Sequence, residues 1–166
     1  SFNSSSYFSI NNTLKVNLNM TASSHNRFIY FKLLCQKLKL NQEDELNEIY
    51  WNSFFESMKP FNDVIEFIKW NKEMNIKIGI ITNFQTEYQV KKLKKLKIYN
   101  LIDNLITSEE VGVEKPHHFI FYYALDQMKL SSTEVIMIGD SMNNDITPSL
   151  QLNIHSFILN KNLFTM

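Results

Sequence analysis

The sequence predicts an α/β fold, with a parallel sheet preceded by an all-helical segment. Three observations predict it. The run Val135-Ile136-Met137-Ile138-Gly139-Asp140 sets four large apolar residues before a Gly and an acid, the pattern of a strand buried on both faces. After Pro60, apolar runs of strand length alternate with helical stretches of about ten residues, as βαβ units require. Before Pro60, apolar residues recur only at helical spacing.

The elements follow in order. Residues 1–26 are polar and weakly patterned, and no strand is predicted there. Residues 27–58 read as helical. Phe28, Phe31, Leu34, Cys35 and Leu38 share one stripe; Leu46, Ile49, Tyr50, Phe54 and Phe55 share a second. Asn41 ahead of Glu43-Asp44-Glu45 marks a helix start with favourable acids in its first turn. Beyond Pro60 we expect a helix at 63–73, a strand at 77–81, a helix at 86–96 and a short strand at 105–107. A helix at 118–128, a strand at 135–138, a short helix and a last strand at 156–159 complete the series. The expected division is a helical subdomain over 1–60 and an α/β core over 61–166.

Composition narrows the function. The chain has 166 residues, enough for one domain with a small subdomain. With 44% hydrophobic and 13% aromatic residues it can build a core, which excludes a disordered chain. Formal net charge is zero, so nothing draws the chain to nucleic acid or to a membrane surface. No apolar stretch reaches transmembrane length and the polar start has no signal-peptide pattern. A cytoplasmic protein is expected, with the sequons at Asn3, Asn11 and Asn19 incidental. Cys35, the single cysteine, cannot form an internal disulfide and reads as a buried, inert thiol.

Three predicted strand ends carry polar residues suited to one chemistry. Thr82-Asn83 follows the strand at 77–81. A hydroxyl and the amides after it can grip phosphate oxygens at a helix start, although a capping turn reads equally from these residues alone. Lys115-Pro116 lies ahead of the helix at 118–128, with Pro116 starting the helix and fixing the Lys just outside it. A fixed ammonium there could neutralise a phosphate and a carboxylate together. Asp140 stands at the carboxyl edge of the sheet, where open α/β folds bind ligands, and Asp145 lies one helical turn on. Two hard oxygen donors suit Mg²⁺, although taken alone they also read as a capping Asp and a solvated Asp.

Gly79-Ile80-Ile81-Thr82-Asn83, then Glu109 to Pro116, then Gly139-Asp140-Ser141 through Asp145-Ile146 resemble motifs two, three and four of the haloacid dehalogenase-like (HAD) hydrolases. The resemblance runs from about Arg27 to Asn160. Within the superfamily, Lys77 to Asn83, Ser108 to Pro116 and Phe121-Tyr122-Tyr123-Ala124-Leu125 are most similar to the nucleotide 5′-phosphatase and N-acylneuraminate-9-phosphatase branch. The resemblance implies a Rossmann-like parallel core with an α-helical cap, and hydrolysis of small phosphorylated metabolites with Mg²⁺ as cofactor. By the same resemblance Thr82 and Asn83 bind the phosphoryl group, Lys115 holds it and the nucleophile's charge, Asp140 ligates Mg²⁺ and Asp145 supports the metal's shell. Phe84 departs from the pattern, because that branch usually has Gly there.

The family's nucleophile sits in an Asp-x-Asp motif on a first, central strand between the strands ending at Thr82 and Asp140. This chain has no Asp before Asp44. We therefore expect the first strand to be absent, leaving a gap or a direct pairing of its neighbours. The chain is expected to be a truncated or degenerate member, or one piece of a longer protein, inactive alone and weak in Mg²⁺ affinity. Two other readings are a non-catalytic remnant that binds a partner, and a carbon–halogen hydrolase, which has no use for the Asp140 and Asp145 pair. A receiver domain would need an early acid pair and a phospho-acceptor Asp, and neither is found. Of the remaining features, Lys91-Lys92-Leu93-Lys94-Lys95-Leu96-Lys97 reads as the solvated face of an amphipathic helix. His117-His118 read as surface residues. Trp51, Phe54, Phe55 and Met58 read as core, with the cap side of a substrate pocket as the alternative.

Overall fold

The computed structural model describes residues 21–61 and 63–159. The expectations for residues 1–20, including the sequons at Asn3, Asn11 and Asn19, lie outside the described residues.

The helical part is an antiparallel pair, α1 (Arg27–Leu38) and α2 (Glu43–Ser57). Asn26 caps α1, its side chain accepting from Ile29 N–H at 3.1 Å, and Lys39 ends it in the left-handed region. Gln42, not Asn41, precedes α2, whose first turn holds Glu43, Asp44 and Glu45. Tyr30, Leu34 and Cys35 of α1 and Trp51 of α2 are the buried residues of the pair.

The α/β part runs α3 (Val64–Glu73), β1 (Gly79–Thr82), α4 (Thr86–Lys95), β2 (Asn104–Thr107), α5 (Ser108–Val111), α6 (His118–Met128), β3 (Ile136–Gly139), α7 (Thr147–Gln151) and β4 (His155–Ile158). β1 pairs parallel with β2, placing Thr82 beside Thr107; β3 pairs parallel with β4, placing Ile138 beside Phe157. Among the described residues β1 and β3 are not paired with each other.

Two apolar clusters anchor these strands. Ile106, Ile120, Phe121, Ala124, Leu152 and Ile154 pack together, with Ile81 and Met137 against them, so α6 spans both strand pairs. Ile68, Leu93 and Ile98 form the second cluster, joining α3 and α4 to Ile80 and Leu105. Burying side chains of this size stabilises the fold by roughly 1.5–3 kcal/mol each.

One expectation needs correction. β3 is not buried on both faces: Met137 faces the core, whereas Ile136 and Ile138 are exposed. Four apolar residues in a row fix a strand but do not show whether both faces are covered. Among the described residues no helix is long and apolar enough to cross a membrane.

Candidate active site

Each strand ends in a polar group, and the turns that follow bring these groups together. At the end of β1, Thr82 Oγ1 accepts from Gln89 Nε2 at 2.6 Å. Gln89 lies on α4, so the helix after the strand fixes the hydroxyl at the strand's end. Asn83 reaches across to the Lys115 main chain. Its Oδ1 accepts from Lys115 N–H at 2.8 Å and its Nδ2 donates to Lys115 C=O at 3.0 Å. The side-chain amide thus pairs with Lys115 as a neighbouring strand would.

β2 supplies the floor. Thr107 and Ser108 are fully buried. Ser108 Oγ accepts from Phe84 N–H at 2.9 Å, so that amide is already engaged and does not face a ligand. Glu109 Oε2 accepts from Thr86 N–H at 2.8 Å, setting a carboxylate at the start of α4, where the helix dipole favours it. Gly112 ends α5 with φ at 81°, and the chain turns there toward Lys115. Pro116 lies two residues ahead of α6, and His117 caps that helix by accepting from Phe119 N–H.

Lys115 is the centre of the arrangement. Its Nζ donates to Ile81 C=O at 2.9 Å and to Asp145 Oδ1 at 2.6 Å. One ammonium therefore ties the end of β1 to the turn after β3. Asp145 is buried, and its Oδ2 accepts from Ser141 N–H at 3.0 Å. It lies in a π-helical turn over Met142–Ile146 that curls it back beneath Gly139. A Cβ on Gly139 would overlap the Asp145 side chain, so only glycine admits the carboxylate here. Asp140, exposed at the end of β3, completes the set.

Mg²⁺ would find donors of the right kind but too few of them. Both Asp145 oxygens are engaged, by an ammonium and by an amide. Among the described residues no group of three His, Cys, Asp or Glu side chains could hold a metal ion.

Four neighbours of this site make contacts that sequence reasoning did not assign. Gln89 lies one residue before Val90 on a helix face that was read only for its apolar side. Glu114 is buried 3.6 Å from His25 Nε2, joining the segment ahead of α1 to the residue before Lys115. Lys92 is not solvated as expected: its Nζ stands over the rings of Phe84, Phe54 and Trp51 at 4.6, 5.2 and 5.8 Å. Its spacing among lysines hides this, because two of the covering rings, Trp51 and Phe54, come from α2. Trp51 is part of the interface between helical pair and core, stacking on Tyr88 at 3.9 Å between ring centroids.

Comparison with known proteins agrees with this geometry. The model of the haloacid dehalogenase-like hydrolase family matches residues 7–159. A ribulose-1,5-bisphosphate 5-phosphatase of Halopiger xanaduensis is 33% identical over 133 residues, 76% of this chain and 54% of that protein. The pyrimidine 5'-nucleotidase YjjG of Escherichia coli is 35% identical over 124 residues, 74% of this chain and 55% of that protein. The chain thus spans about half the length of the curated relatives it matches. A HAD phosphatase from Thermococcus onnurineus superposes with a TM-score of 0.62 at 26% identity, over 80% of this chain and 75% of that one. The 2-haloacid dehalogenase of Pseudomonas syringae pv. Tomato DC3000 superposes at 0.77 over 96% and 70%, and at 15% identity it shows the shared fold alone. With its motifs on strand ends beneath a helical cap, the chain belongs to the haloacid dehalogenase-like hydrolase family.

Proposed function

We propose that this chain is the phosphoryl-gripping part of a phosphomonoesterase for a small phosphorylated metabolite, a nucleotide or a sugar phosphate. The observation that carries the reading is Lys115, a largely buried ammonium held between Ile81 C=O and Asp145 beside Thr82. Because Thr82 Oγ1 already accepts from Gln89, its own O–H is left to donate to a phosphate oxygen. Asn83 serves the site by fixing the Lys115 main chain. Residues 1–60 act as the cap over it. The relatives named for phosphatase activity support the substrate class.

Mg²⁺, if bound, neutralises charge on phosphoryl oxygens. We assign Asp140 as its ligand and Asp145 as a group behind it, with weak affinity because the donors are few. No acidic residue precedes Glu43, so the early part of the family match supplies no carboxylate nucleophile and no phospho-aspartyl intermediate can form there. We expect the 166-residue chain to be inactive alone. The same absence favours a second reading, a non-catalytic member that binds its ligand without turning it over. A cytoplasmic location fits the single buried Cys35.

Two assays on the purified chain test this. Titration with inorganic phosphate should show binding that Lys115→Met weakens about tenfold or more, as loss of a charge-assisted hydrogen bond does. Incubation with p-nitrophenyl phosphate and MgCl₂ should release no phosphate. Turnover that Asp140→Asn abolishes would defeat the inactive reading, and phosphate binding indifferent to Lys115 would defeat the site.

A further inference from the structure

Glu114 is a buried carboxylate with no part yet in the phosphate site. The residue is 5% exposed, and its Oε1 is buried without a hydrogen bond. Burying a carboxylate is costly unless hydrogen bonds or a counter-charge offset it. Oε1 lies 3.6 Å from His25 Nε2, too far for a hydrogen bond but within ion-pair reach of a protonated imidazole.

The two residues join segments far apart in the chain. His25 closes the short helical turn Ala22–His25, which leads through Asn26 into α1. That turn is held in place, because Ala22 and Ser24 are buried and it packs on α5. The His25 ring lies tilted against Phe84, with centroids 6.3 Å apart. Glu114 directly precedes Lys115. Its C=O accepts from His117 N–H at 2.9 Å. Asn83 grips the Lys115 main chain from the β1 side, so the Glu114 side chain is the hold on the opposite side of the loop. The other charged and titratable groups of these segments are engaged or face water. Lys115 pairs with Asp145, Glu109 accepts from Thr86 N–H, His117 caps α6, Glu110 is exposed, and Lys92 stands over the Phe84 ring. His25 is the counter-charge that the geometry offers Glu114.

We propose that Glu114 is a positioning residue for Lys115, with protonated His25 as its counter-charge. The inference rests on the phosphate-gripping role of Lys115 and adds a residue that acts on the phosphate through it. With His25 charged, the carboxylate keeps its buried place, and the Lys115 ammonium keeps its bonds to Ile81 C=O and Asp145. Without that charge, the loop relieves the buried acid by moving Glu114 toward water. Lys115 follows, being the next residue in the chain. The His25 side chain is 42% exposed, so water screens the pair and its effect on binding is modest.

Isothermal titration of the full chain with inorganic phosphate tests this, at about pH 5.5, where an ordinary imidazole is charged. His25→Phe keeps a ring against Phe84 and removes the charge, and should weaken binding about fivefold, the worth of one hydrogen bond. His25→Lys restores a cation and should bind within about twofold of wild type. The double variant His25→Phe with Glu114→Met should also recover to within about twofold, because the acid that needed the cation is gone. A role in packing alone predicts otherwise, since neither a new cation nor a second substitution would recover a lost contact. Glu110→Gln, exposed on α5, should leave binding unchanged, and an equal loss there would overturn the pairing. Should the double variant not fold by circular dichroism, His25→Phe against His25→Lys carries the comparison. Affinity unchanged in His25→Phe, or lost equally in His25→Phe and His25→Lys, overturns the positioning role while Lys115→Met still weakens binding. No binding by wild type, or binding indifferent to Lys115→Met, overturns the phosphate site and this inference with it.

Discussion

Asp145 owes its place to Gly139. The carboxylate lies so close beneath that backbone that a Cβ on residue 139 would fall 2.7 Å from Oδ2 and closer still to the carbons. Gly139→Ala should therefore cost about 1–3 kcal/mol, the range of overpacking, measured by urea denaturation. The same experiment should report a larger loss, about 3–5 kcal/mol, for Lys115→Met, because Asp145 would remain buried without its partner. Asn83→Ala removes two bonds to the Lys115 main chain and should cost about 1–3 kcal/mol. It should also weaken phosphate binding by way of Lys115. The strand ends that carry Thr82, Asn83 and Asp140 were legible in the sequence, because each follows an apolar run; Lys115 and Asp145 lie in the turns beyond, and the resemblance singled them out. Their partners were not legible. Gln89 and Ser108 act through hydrogen bonds to residues seven and twenty-four positions away, and no local pattern encodes such a contact.

Among the elements, α4 does most to join cap and core. Its inner face buries Leu93, its first turn faces Glu109, and its outer face sends Lys92 under the cap rings. Burial sets the sign of a pH effect here. Lys92 has a folded pKa below 10.5, so between the two values the unfolded chain binds more protons than the folded one. Its contribution to stability therefore rises as pH climbs through its lowered folded pKa toward the ordinary lysine value. Chemical denaturation at pH 7 and in the alkaline range should show wild type gaining this increment and Lys92→Met lacking it. The variant should be at least as stable as wild type at pH 7, where the charge is disfavoured. Glu134 shows the same sign in the acid range, where its stabilisation also grows as pH rises. Bonds from the Ser131 side chain and then its amide lower the Glu134 pKa, so its stabilisation holds above the ordinary carboxylate value and fades as pH falls through the lowered one.

Element positions were well encoded. The strand expected at 105–107 spans Asn104–Thr107, and the helix expected at 118–128 spans His118–Met128. These runs combine clear periodicity with turn residues at both ends. The two stripes over 27–58 became two helices, divided where Lys39 enters the left-handed region. Lys92 was misread because periodicity separates apolar from polar faces but does not reveal that a second element covers the polar one.

At the scale of the whole molecule, two strand pairs are held together by α6 and by one lysine. The packing of Ile81 and Met137 around α6 aligns the carboxyl ends of β1 and β3. Lys115 then spans them, bonding to Ile81 C=O and Asp145. The parallel architecture and helical cap could be read from alternating patterns. Of the two alternatives expected between β1 and β3, a gap or a direct pairing, the described residues show no pairing, and the sequence did not choose between them because pairing of distant strands is set by tertiary contacts. The arrangement presents an ammonium, a hydroxyl and an exposed acid on one edge, while no acid precedes Glu43 in the chain.

The most direct test measures binding and turnover on the same sample, by titrating the purified chain with a phosphomonoester in MgCl₂ while following phosphate release. Binding that Lys115→Met weakens, with no release of phosphate, is the expected result. Phosphate release that Asp140→Asn abolishes, or binding unaffected at Lys115, would contradict it.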